Sequence, residues 1–321
     1  MNRILLSLTS ACSFALIAIS ANLHAAEVQP SESPDGSLLP ALEKIARDDG
    51  DHIFTITEIY KGQSRSVEIR EGMRCHNSYS IAKLFTVVTI GIMEDKGLLD
   101  VDDPVFPILE KEFPDTFDPK WRDVKISDVL RHRVGYGVAG FLDIDAQNAS
   151  TWKERDFLKI ALGEPLEFKP GEKFVYTDAA FYVAACIGGQ VAGEKFNEFM
   201  VRELLEPLEF AEYAFSTDPQ GRPIGATGLY ISTEDMAKLG EMLVNDGEYH
   251  GRRILSKEFV DKAFARTFEL YPVGKQGVAF TKGGMNGQIL YMNRATKRVV
   301  AAHSYHGDVD AILKYLEEHD R

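Results

Sequence analysis

Ser80 and Lys83 are the pair in this chain whose residue types and spacing first suggest covalent chemistry. Positions three apart lie on one face of a helix, so the Lys83 amine can reach the Ser80 hydroxyl. A serine hydroxyl becomes a nucleophile when a base takes its proton, and a partly desolvated lysine can be that base. The helix N-terminus adds backbone N–H groups directed at developing negative charge. Taken alone, the pair is better explained as a capping serine followed by a solvated lysine.

Two later segments supply further groups that a nucleophilic serine needs. Tyr176 lies on a predicted loop just before a helix, a position suited to pointing inward. Lys282 is followed by two glycines on a predicted strand edge, so a cation and a close-approaching backbone come together there. These two segments change the balance in favour of a catalytic role for Ser80.

The periodicity of apolar residues predicts which elements position these groups. A first helix is predicted at 38–46, and a hairpin follows with strands at 53–60 and 64–70. The helix that opens at Ser80 is predicted to run to about Lys96. The predicted helices after it are 126–131, 152–162, 179–192, 196–205 and 234–245. Three antiparallel strands at 277–281, 288–293 and 298–304, and a helix at 308–318, are predicted to close the chain.

This order of elements predicts an α+β fold. An antiparallel sheet is flanked by helices from both chain ends, and a mainly helical lobe is inserted between its halves. We expect residues 27–105 and 255–321 to form the sheet lobe and residues 106–254 the helical lobe, because the mature chain exceeds the usual size of a single core. The active site is expected between the lobes, where pockets commonly form.

Residues 1–26 have the pattern of a secretory signal. Arg3 precedes an apolar run from 4 to 21, and small residues follow at Ala25 and Ala26. An uncleaved anchor is the alternative, but the run contains hydroxyl-bearing residues and is barely long enough to span a membrane. We therefore predict a periplasmic or secreted protein with a cleaved signal and no stable membrane anchor.

The net charge limits the classes of binding partner, and the cysteines indicate whether a disulfide bond can form. A net charge of −13 argues against nucleic acid and anionic membrane surfaces as partners. Cys12 belongs to the predicted signal. Cys75 and Cys186 could pair in an oxidising compartment, but their apolar neighbours favour two buried free thiols.

Other candidate residues have simpler structural explanations. No G-x-S-x-G elbow accompanies His132, so a helix-end histidine bonded to backbone is favoured over a catalytic triad. Asp308 is explained by helix capping, and no metal site is predicted from the ligand-type residues around it. Trp121 and Trp152 are predicted to fill the helical lobe. No cofactor is predicted, since the sequence has no glycine-rich phosphate loop or cofactor motif. The residues that were considered as ligands of a metal site are His303, His306, Asp308 and Asp310.

The ordered set of motifs resembles the serine β-lactamase and penicillin-binding protein superfamily. It is most similar to the class C-like branch, which includes esterases, D-aminopeptidases and 6-aminohexanoate-oligomer hydrolases. The family's S-x-x-K motif matches Ser80 and Lys83, its Y-x-N motif matches 176–178, and its K-T-G or H-x-G motif matches 282–284. The resemblance covers nearly the whole mature chain.

The resemblance implies a role for each matched residue. Ser80 would attack a carbonyl to form an acyl-enzyme, while Lys83 and Tyr176 share proton transfer. Backbone N–H groups of Ser80 and Met285 would form the oxyanion hole. Lys282 would keep the local potential positive. The implied substrate-binding residues are Asp178, Lys282, Gly284 and Met285.

Two departures from the family pattern bear on the substrate. Asp178 replaces the usual Asn, which puts a carboxylate near Ser80 and Lys83, unless it caps the next helix and faces away. Gly283 replaces a side chain whose hydroxyl can bind a substrate carboxylate. Both changes count against anionic substrates such as penicillins and D-Ala-D-Ala stems. The segment at about 265–281 is also short, which predicts a more open pocket rim.

We therefore predict an exported, cofactor-free serine hydrolase that acts through an acyl-enzyme on a small-molecule or peptide-like ester or amide. The alternatives are a D-alanyl-D-alanine carboxypeptidase or β-lactamase, and a non-catalytic ligand-sensing module of the same fold. The sequence does not predict an oligomeric state.

Overall fold

The computed structural model describes residues 35–50, 52–139 and 155–321. The predicted signal at 1–26 and Trp152 lie outside these residues. The described residues belong to one compact unit, and the lobe boundaries at 105 and 254 stay predictions. Within the described ranges, none of the helices combines the length and apolar character needed to cross a bilayer.

Strands and helices follow one another in the predicted order. The strands are β1 (Ile53–Tyr60), β2 (Gln63–Glu68), β3 (His76–Asn77), β4 (Tyr213–Phe215), β5 (Leu229–Ile231), β6 (Glu248–Tyr249), β7 (Arg252–Arg253), β8 (Tyr271–Val273), β9 (Ala279–Gly284), β10 (Gln288–Asn293) and β11 (Arg298–Ser304). The helices are α1 (Leu39–Asp48), α2 (Ala82–Asp95), α3 (Val105–Leu109), α4 (Ile126–Val129), α5 (Phe157–Gly163), α6 (Asp178–Ala192), α7 (Phe196–Met200), α8 (Thr233–Val244), α9 (Lys257–Ala265) and α10 (Val309–His319).

The main sheet joins the two ends of the described chain, as the sequence predicts. Its strand order is β2-β1-β11-β10-β9-β8, and every neighbouring pair is antiparallel. The N-terminal hairpin therefore pairs directly with the last strand. This pairing confirms the predicted α+β fold with a composite antiparallel sheet.

Helices cover both faces of the sheet because its central strands alternate apolar residues between the two sides. On β11, Val299 and Ala301 face the larger core, which also contains α2, α6 and α8. Val300 and Ala302 face a smaller core closed by α1 and α10, the helices near the two ends of the described chain. Trp121 is fully buried in the larger core, as predicted.

The shortest elements escape prediction because two or three residues cannot display a period. β8 at the sheet edge was not predicted, nor was the small sheet β3-β5-β4. The five-residue α3 and the nine-residue α9 were also missed, and length does not explain α9, whose apolar residues do recur at helical spacing. The helix predicted at 152–162 corresponds to α5 in the described residues, and β9 extends to Gly284, beyond the predicted end of its strand.

α2 follows directly on a 3₁₀ turn at Tyr79–Ile81 and is buried on nearly all sides. Its neighbours therefore constrain it along its length. At Gly91, a Cβ atom would lie 2.4 Å from ring atoms of Phe259 on α9, far inside van der Waals contact. The glycine is thus required by the close approach of α2 and α9, and it fixes the position of the helix that begins beside Ser80.

We predict that Gly91→Ala lowers the free energy of unfolding by about 1–3 kcal/mol, because the buried Phe259 ring has little room to move. Urea denaturation measures the change. The double variant Gly91→Ala/Phe259→Leu should recover part of the loss, since the smaller side chain makes space for the methyl group. A single variant as stable as the parent would show that the two helices separate without cost.

Candidate active site

Ser80 lies in a tightly held turn at the start of α2. The residue before it, Tyr79, has φ = 45°, in the left-handed region that side chains other than glycine rarely adopt. The side-chain oxygen of Asn77 accepts from the Tyr79 N–H at 2.9 Å, and the Tyr79 hydroxyl accepts from the Asn286 amide at 3.1 Å. These bonds hold the turn so that the Ser80 side chain is partly exposed.

The Lys83 ammonium is completely buried behind Ser80. Its Nζ donates to Ser80 Oγ at 3.0 Å and to the Ala226 carbonyl at 3.0 Å, and it lies 2.6 Å from Asp178 Oδ1. A lysine ammonium has three N–H donors, and these three acceptors satisfy all of them. In this arrangement Lys83 is charged and has no lone pair available for the Ser80 proton.

Asp178 faces this lysine and is not the cap of the following helix. The N-cap of α6 is Thr177, whose side-chain oxygen accepts from the Ala179 N–H at 3.2 Å. Asp178 is the next residue, and its carboxylate pairs with Lys83. The predicted position near Ser80 and Lys83 is therefore the one in the structure, and the alternative of a cap facing away is not.

The Tyr176 hydroxyl lies between Ser80 and Lys282. It accepts from Lys282 Nζ at 3.4 Å, and the nearby Ser80 side chain acts to lower its pKa. Burial raises the pKa of Tyr176; Lys282 opposes this shift, the Glu269 carboxylate reinforces it, and the pKa stays above its ordinary value of 10.0. The phenol is therefore neutral at neutral pH and carries its own proton.

Lys282 belongs to a buried network that sequence reasoning missed. Its Nζ lies 2.5 Å from Glu269 Oε2, and both side chains are almost fully enclosed. The other oxygen of Glu269 bonds His132 Nε2 at 2.8 Å and accepts from the Tyr271 hydroxyl at 3.2 Å. Glu269 is a single acid in the irregular segment between α9 and β8, so no motif or period in the sequence marks it.

His132 helps to hold the loop that carries Tyr176. Its Nδ1 accepts from the Thr177 N–H at 3.2 Å, which agrees with the predicted bond to backbone. Because Nδ1 accepts a hydrogen bond, the ring proton is on Nε2, and the Nε2–H group donates a hydrogen bond to Glu269. The imidazole ring also packs on the Tyr176 ring, with centroids 4.3 Å apart. Sequence reasoning found the backbone bond but not the connection to Glu269.

An open cavity of about 660 Å³ begins at Ser80 and Tyr176. Of the predicted substrate-binding residues, Gly284 and Met285 line it, whereas Asp178 and Lys282 do not, and neither does Lys83. The other lining residues are Thr281, Gly283, Asn286, Gly287, Gln288, Ile289, His306, Gly307, Asp308, Val309, Asp310 and Leu313.

The two glycines at the end of β9 differ in what their surroundings demand. A Cβ at position 284 would approach the Ser78 carbonyl to 2.8 Å, so Gly284 is required for the close passage of the strand. A Cβ at Gly283 would meet only the Gln288 carbonyl, at 3.8 Å. A side chain would fit at 283, and the missing hydroxyl there is not imposed by packing.

The remaining candidates have structural roles. His303 is buried, with its Nδ1 bonded to the Thr233 hydroxyl at 2.9 Å. Asp308 caps α10, as predicted, accepting from the N–H groups of the two residues that follow the first helical position. Across 35–50, 52–139 and 155–321, no three His, Cys, Asp or Glu side chains are grouped to hold a metal ion.

Both cysteines of the described chain are free thiols. Cys186 is buried, as predicted. Cys75 is partly exposed, with its sulfur 3.6 Å from a carboxylate oxygen of Glu212, so the prediction of a buried thiol in apolar surroundings is wrong for this residue. The apolar residues close to Cys75 in sequence do not enclose it in the fold.

Comparison of the sequence with models of protein families identifies the family of this chain. The Beta-lactamase family model matches residues 74–307, which is more than half of the chain and includes Ser80, Tyr176 and Lys282. The chain belongs to the Beta-lactamase family. Its fold is that of the serine β-lactamase and penicillin-binding protein superfamily, whose members include amidohydrolases, esterases and penicillin-binding protein homologues.

Solved structures similar to this Beta-lactamase family member show the same fold at low sequence identity. A Bacillus anthracis protein assigned as a 6-aminohexanoate-dimer hydrolase has a TM-score of 0.72 and 17% identity, covering 87% of this chain and 80% of its own. EstCE1, a hydrolase with promiscuous acyltransferase activity, has a TM-score of 0.66 and 17% identity, covering 88% and 96%. A D-stereospecific amidohydrolase from Streptomyces has a TM-score of 0.64 and 14% identity, covering 87% and 98%.

The Glu269 network predicts that this Beta-lactamase family protein loses folding stability at acid pH. We call this loss the acid limb of the plot of stability against pH. Burial alone raises the pKa of Glu269, but Lys282 and His132 outweigh it and hold the pKa at about 2, below its ordinary value of 4.5. Because the folded pKa is depressed, this stabilisation is present above about pH 4.5 and is lost as the pH falls toward 2. The difference is on the order of 3 kcal/mol.

Urea unfolding across this pH range tests the prediction. Glu269→Gln should flatten the loss of stability on acidification, because the variant has no carboxylate to protonate at this position. Tyr271→Phe keeps the carboxylate and should retain the acid limb. An unchanged acid limb in Glu269→Gln would contradict the assignment.

Proposed function

We propose that this chain is a serine hydrolase that acts by acyl transfer on a neutral ester or amide, with Ser80 as the nucleophile. The observation that carries the proposal is the position of the Ser80 hydroxyl. It lies between the Lys83 ammonium and the Tyr176 phenol, at the entrance of an open cavity. The names of structural neighbours add support, since the same fold carries both a promiscuous acyltransferase and a D-stereospecific amidohydrolase.

Tyr176 is the group best placed to move the proton of Ser80. The Tyr176 oxygen accepts from Lys282 and lies near the Ser80 side chain at the same cavity, so its own O–H is free to point into that cavity. As Ser80 Oγ bonds the carbonyl carbon, its proton passes to the Tyr176 oxygen. In the same step the phenolic proton passes to the oxygen or nitrogen of the leaving group as its bond to carbon breaks, so the Tyr176 oxygen never carries two protons. Hydrolysis of the acyl-enzyme follows the same route, with water in place of the leaving group.

Lys83 acts in this scheme as a fixed positive charge. Because its three N–H donors are satisfied, it stabilises negative charge that develops on Ser80 Oγ, without taking the proton itself. The backbone N–H groups of Ser80 and Met285 are the proposed oxyanion hole, since both residues line the cavity. Each such donor contributes roughly 3–4 kcal/mol to the stability of a tetrahedral intermediate.

A neutral substrate fits the charges around the cavity better than an anionic one. Each of the two lysines near Ser80 is paired with a carboxylate: Lys83 with Asp178 and Lys282 with Glu269. Gly283 offers no hydroxyl to a substrate carboxylate. A β-lactamase or D-alanyl-D-alanine carboxypeptidase needs to bind such a carboxylate, so these activities are the less favoured alternatives.

Export is part of the proposal and rests on the sequence of residues 1–26. An exported hydrolase of this kind would act in the periplasm or outside the cell on a small-molecule or peptide-like substrate. The proposed reaction needs no cofactor, because the chain supplies the nucleophile, the proton relay and the oxyanion donors.

The nucleophile assignment predicts the outcome of covalent labelling. A fluorophosphonate probe should label the wild-type protein once, at Ser80, and Ser80→Ala should abolish both labelling and hydrolysis of short-chain p-nitrophenyl esters. Ser78→Ala is the matched control. The Ser78 hydroxyl is fully buried, two residues away, and has no hydrogen-bond partner among the described residues, so its loss should leave labelling intact.

Two results would contradict this prediction. Labelling that persists in Ser80→Ala would place the nucleophile elsewhere. A wild-type protein that takes up no probe would support the alternative of a non-catalytic ligand-sensing module.

The carboxylate of Asp178 should disfavour anionic acyl donors. At about 6 Å and an effective dielectric near 20, its repulsion of a substrate carboxylate is on the order of 2–3 kcal/mol, or roughly a hundredfold in acylation rate. Asp178→Asn should therefore raise the rate of acylation by a penicillin relative to that by a neutral ester. Stopped-flow measurement of both rates on one preparation gives the ratio, and an unchanged ratio would remove Asp178 from the specificity argument.

A further inference from the structure

We propose that Glu269 is a positioning and specificity-determining residue of the Ser80 site. Its carboxylate neutralises the charge of Lys282 and holds Lys282 and His132 in position beside Tyr176. As a result, anionic donors acylate the site less readily than neutral donors. This inference rests on the proposed function, because it concerns the selectivity of that same site.

Glu269 lies at the centre of a closed network. One carboxylate oxygen lies 2.5 Å from Lys282 Nζ, and the other is 2.8 Å from His132 Nε2. Lys282 donates to the Tyr176 hydroxyl, and His132 packs on the Tyr176 ring. Glu269 thus contacts both residues that flank Tyr176 and acts through them, without lining the cavity itself.

Both partners of the Glu269–His132 bond have a strained backbone. Glu269 has φ = 60° and His132 has φ = 54°, so both lie in the left-handed region. Non-glycine residues persist there only when the surrounding structure fixes them, and such residues cluster at functional sites. Here the two strained residues bond one another across the fold, from segments 137 positions apart in the chain.

The edge of β9 is open beside Lys282. β8 pairs with β9 only from Ala279 to Thr281, which leaves the β8 side of residues 282–284 without a strand partner. An extended acyl donor can lie along this edge beside Ser80, as a strand adds to an open sheet edge. Lys282 is a cation on this part of the strand, and the Glu269 carboxylate offsets its charge.

His132 and Glu269 do not form a proton-transferring pair with a substrate. The Nδ1 atom of His132 accepts the Thr177 N–H, so neither ring nitrogen is open to the cavity. This excludes a triad in which His132 is the base. The role left for Glu269 is to set charge and position at Tyr176.

The test compares acylation by an anionic and a neutral donor in the full-length protein. A penicillin and a short-chain p-nitrophenyl ester are the probes, and the readout is the ratio of their acylation rates by intact-protein mass spectrometry. Glu269→Gln keeps the size of the side chain and removes its charge, so Lys282 is left unopposed. We expect the ratio of penicillin to ester acylation to rise by about tenfold.

Lys282→Gln should change the ratio of penicillin to ester acylation in the opposite direction. It leaves the Glu269 charge unopposed, so the ratio should fall below that of the wild type. A purely structural role for the pair would move both variants in the same direction, because either substitution would loosen Tyr176. Tyr271→Phe is the matched control: it removes the 3.2 Å hydrogen bond to Glu269 but keeps the carboxylate, so its ratio should equal that of the wild type.

Opposite shifts in the two charge variants, with an unchanged control, would support the inference. Equal ratios in all variants, or shifts of the same sign, would overturn it. If Glu269→Gln does not fold, the result for Lys282→Gln decides alone. In that variant the Glu269 charge is unopposed, so a ratio of penicillin to ester acylation that does not fall would overturn the inference. Fluorophosphonate labelling of Ser80 separates the two proposals: a labelled enzyme with unchanged ratios overturns only the role of Glu269, whereas an unlabelled wild type overturns the proposed function.

Discussion

The buried Lys83 ammonium is the constraint on which the site depends. A charge removed from water must be paired and hydrogen-bonded, because an unpaired one costs several kcal/mol. Lys83 is satisfied by three groups from three separate parts of the chain: the Ser80 hydroxyl, the Asp178 carboxylate and the Ala226 carbonyl. The start of α2, the start of α6 and the segment before β5 are therefore held at fixed distances from one another. The reacting hydroxyl lies where these segments meet.

A second buried pair repeats this solution close to the Tyr176 ring. Lys282 and Glu269 are both enclosed, and the centroid of the Tyr176 ring lies 4.9 Å from Lys83 Nζ and 5.4 Å from Lys282 Nζ. The phenol is therefore surrounded by positive charge that is largely cancelled by two carboxylates. Burial raises the pKa of Tyr176, and the two carboxylates reinforce this shift against Lys282, so the phenol keeps its proton although its oxygen lies 3.4 Å from Lys282 Nζ. A neutral phenol in this position suits a proton relay better than a permanent base.

The sequence predicts the parts of this structure that depend on long or periodic segments. The strands at both chain ends alternate clearly enough to predict the composite sheet, and the spacing of Ser80 and Lys83 predicts their contact. The orientation of Asp178 depends on Thr177 taking the N-cap position, and two adjacent residues can both fill that role from sequence alone. Glu269 and His132 meet through a tertiary contact between two irregular segments, which neither period nor motif encodes. β8 is too short to show a pattern, although it determines where the β9 edge is open.

The central claim is that Ser80, Tyr176 and the backbone at Met285 act on one carbonyl carbon. A crystal structure of the wild-type protein with phenylboronic acid tests it most directly, because boron forms a tetrahedral adduct with a nucleophilic serine. The account predicts a covalent bond from boron to Ser80 Oγ, one boronate oxygen at hydrogen-bond distance from the N–H groups of Ser80 and Met285, and the other facing the Tyr176 hydroxyl. Boron bound to another residue, or an adduct whose oxygens point away from Met285 and Tyr176, would contradict it.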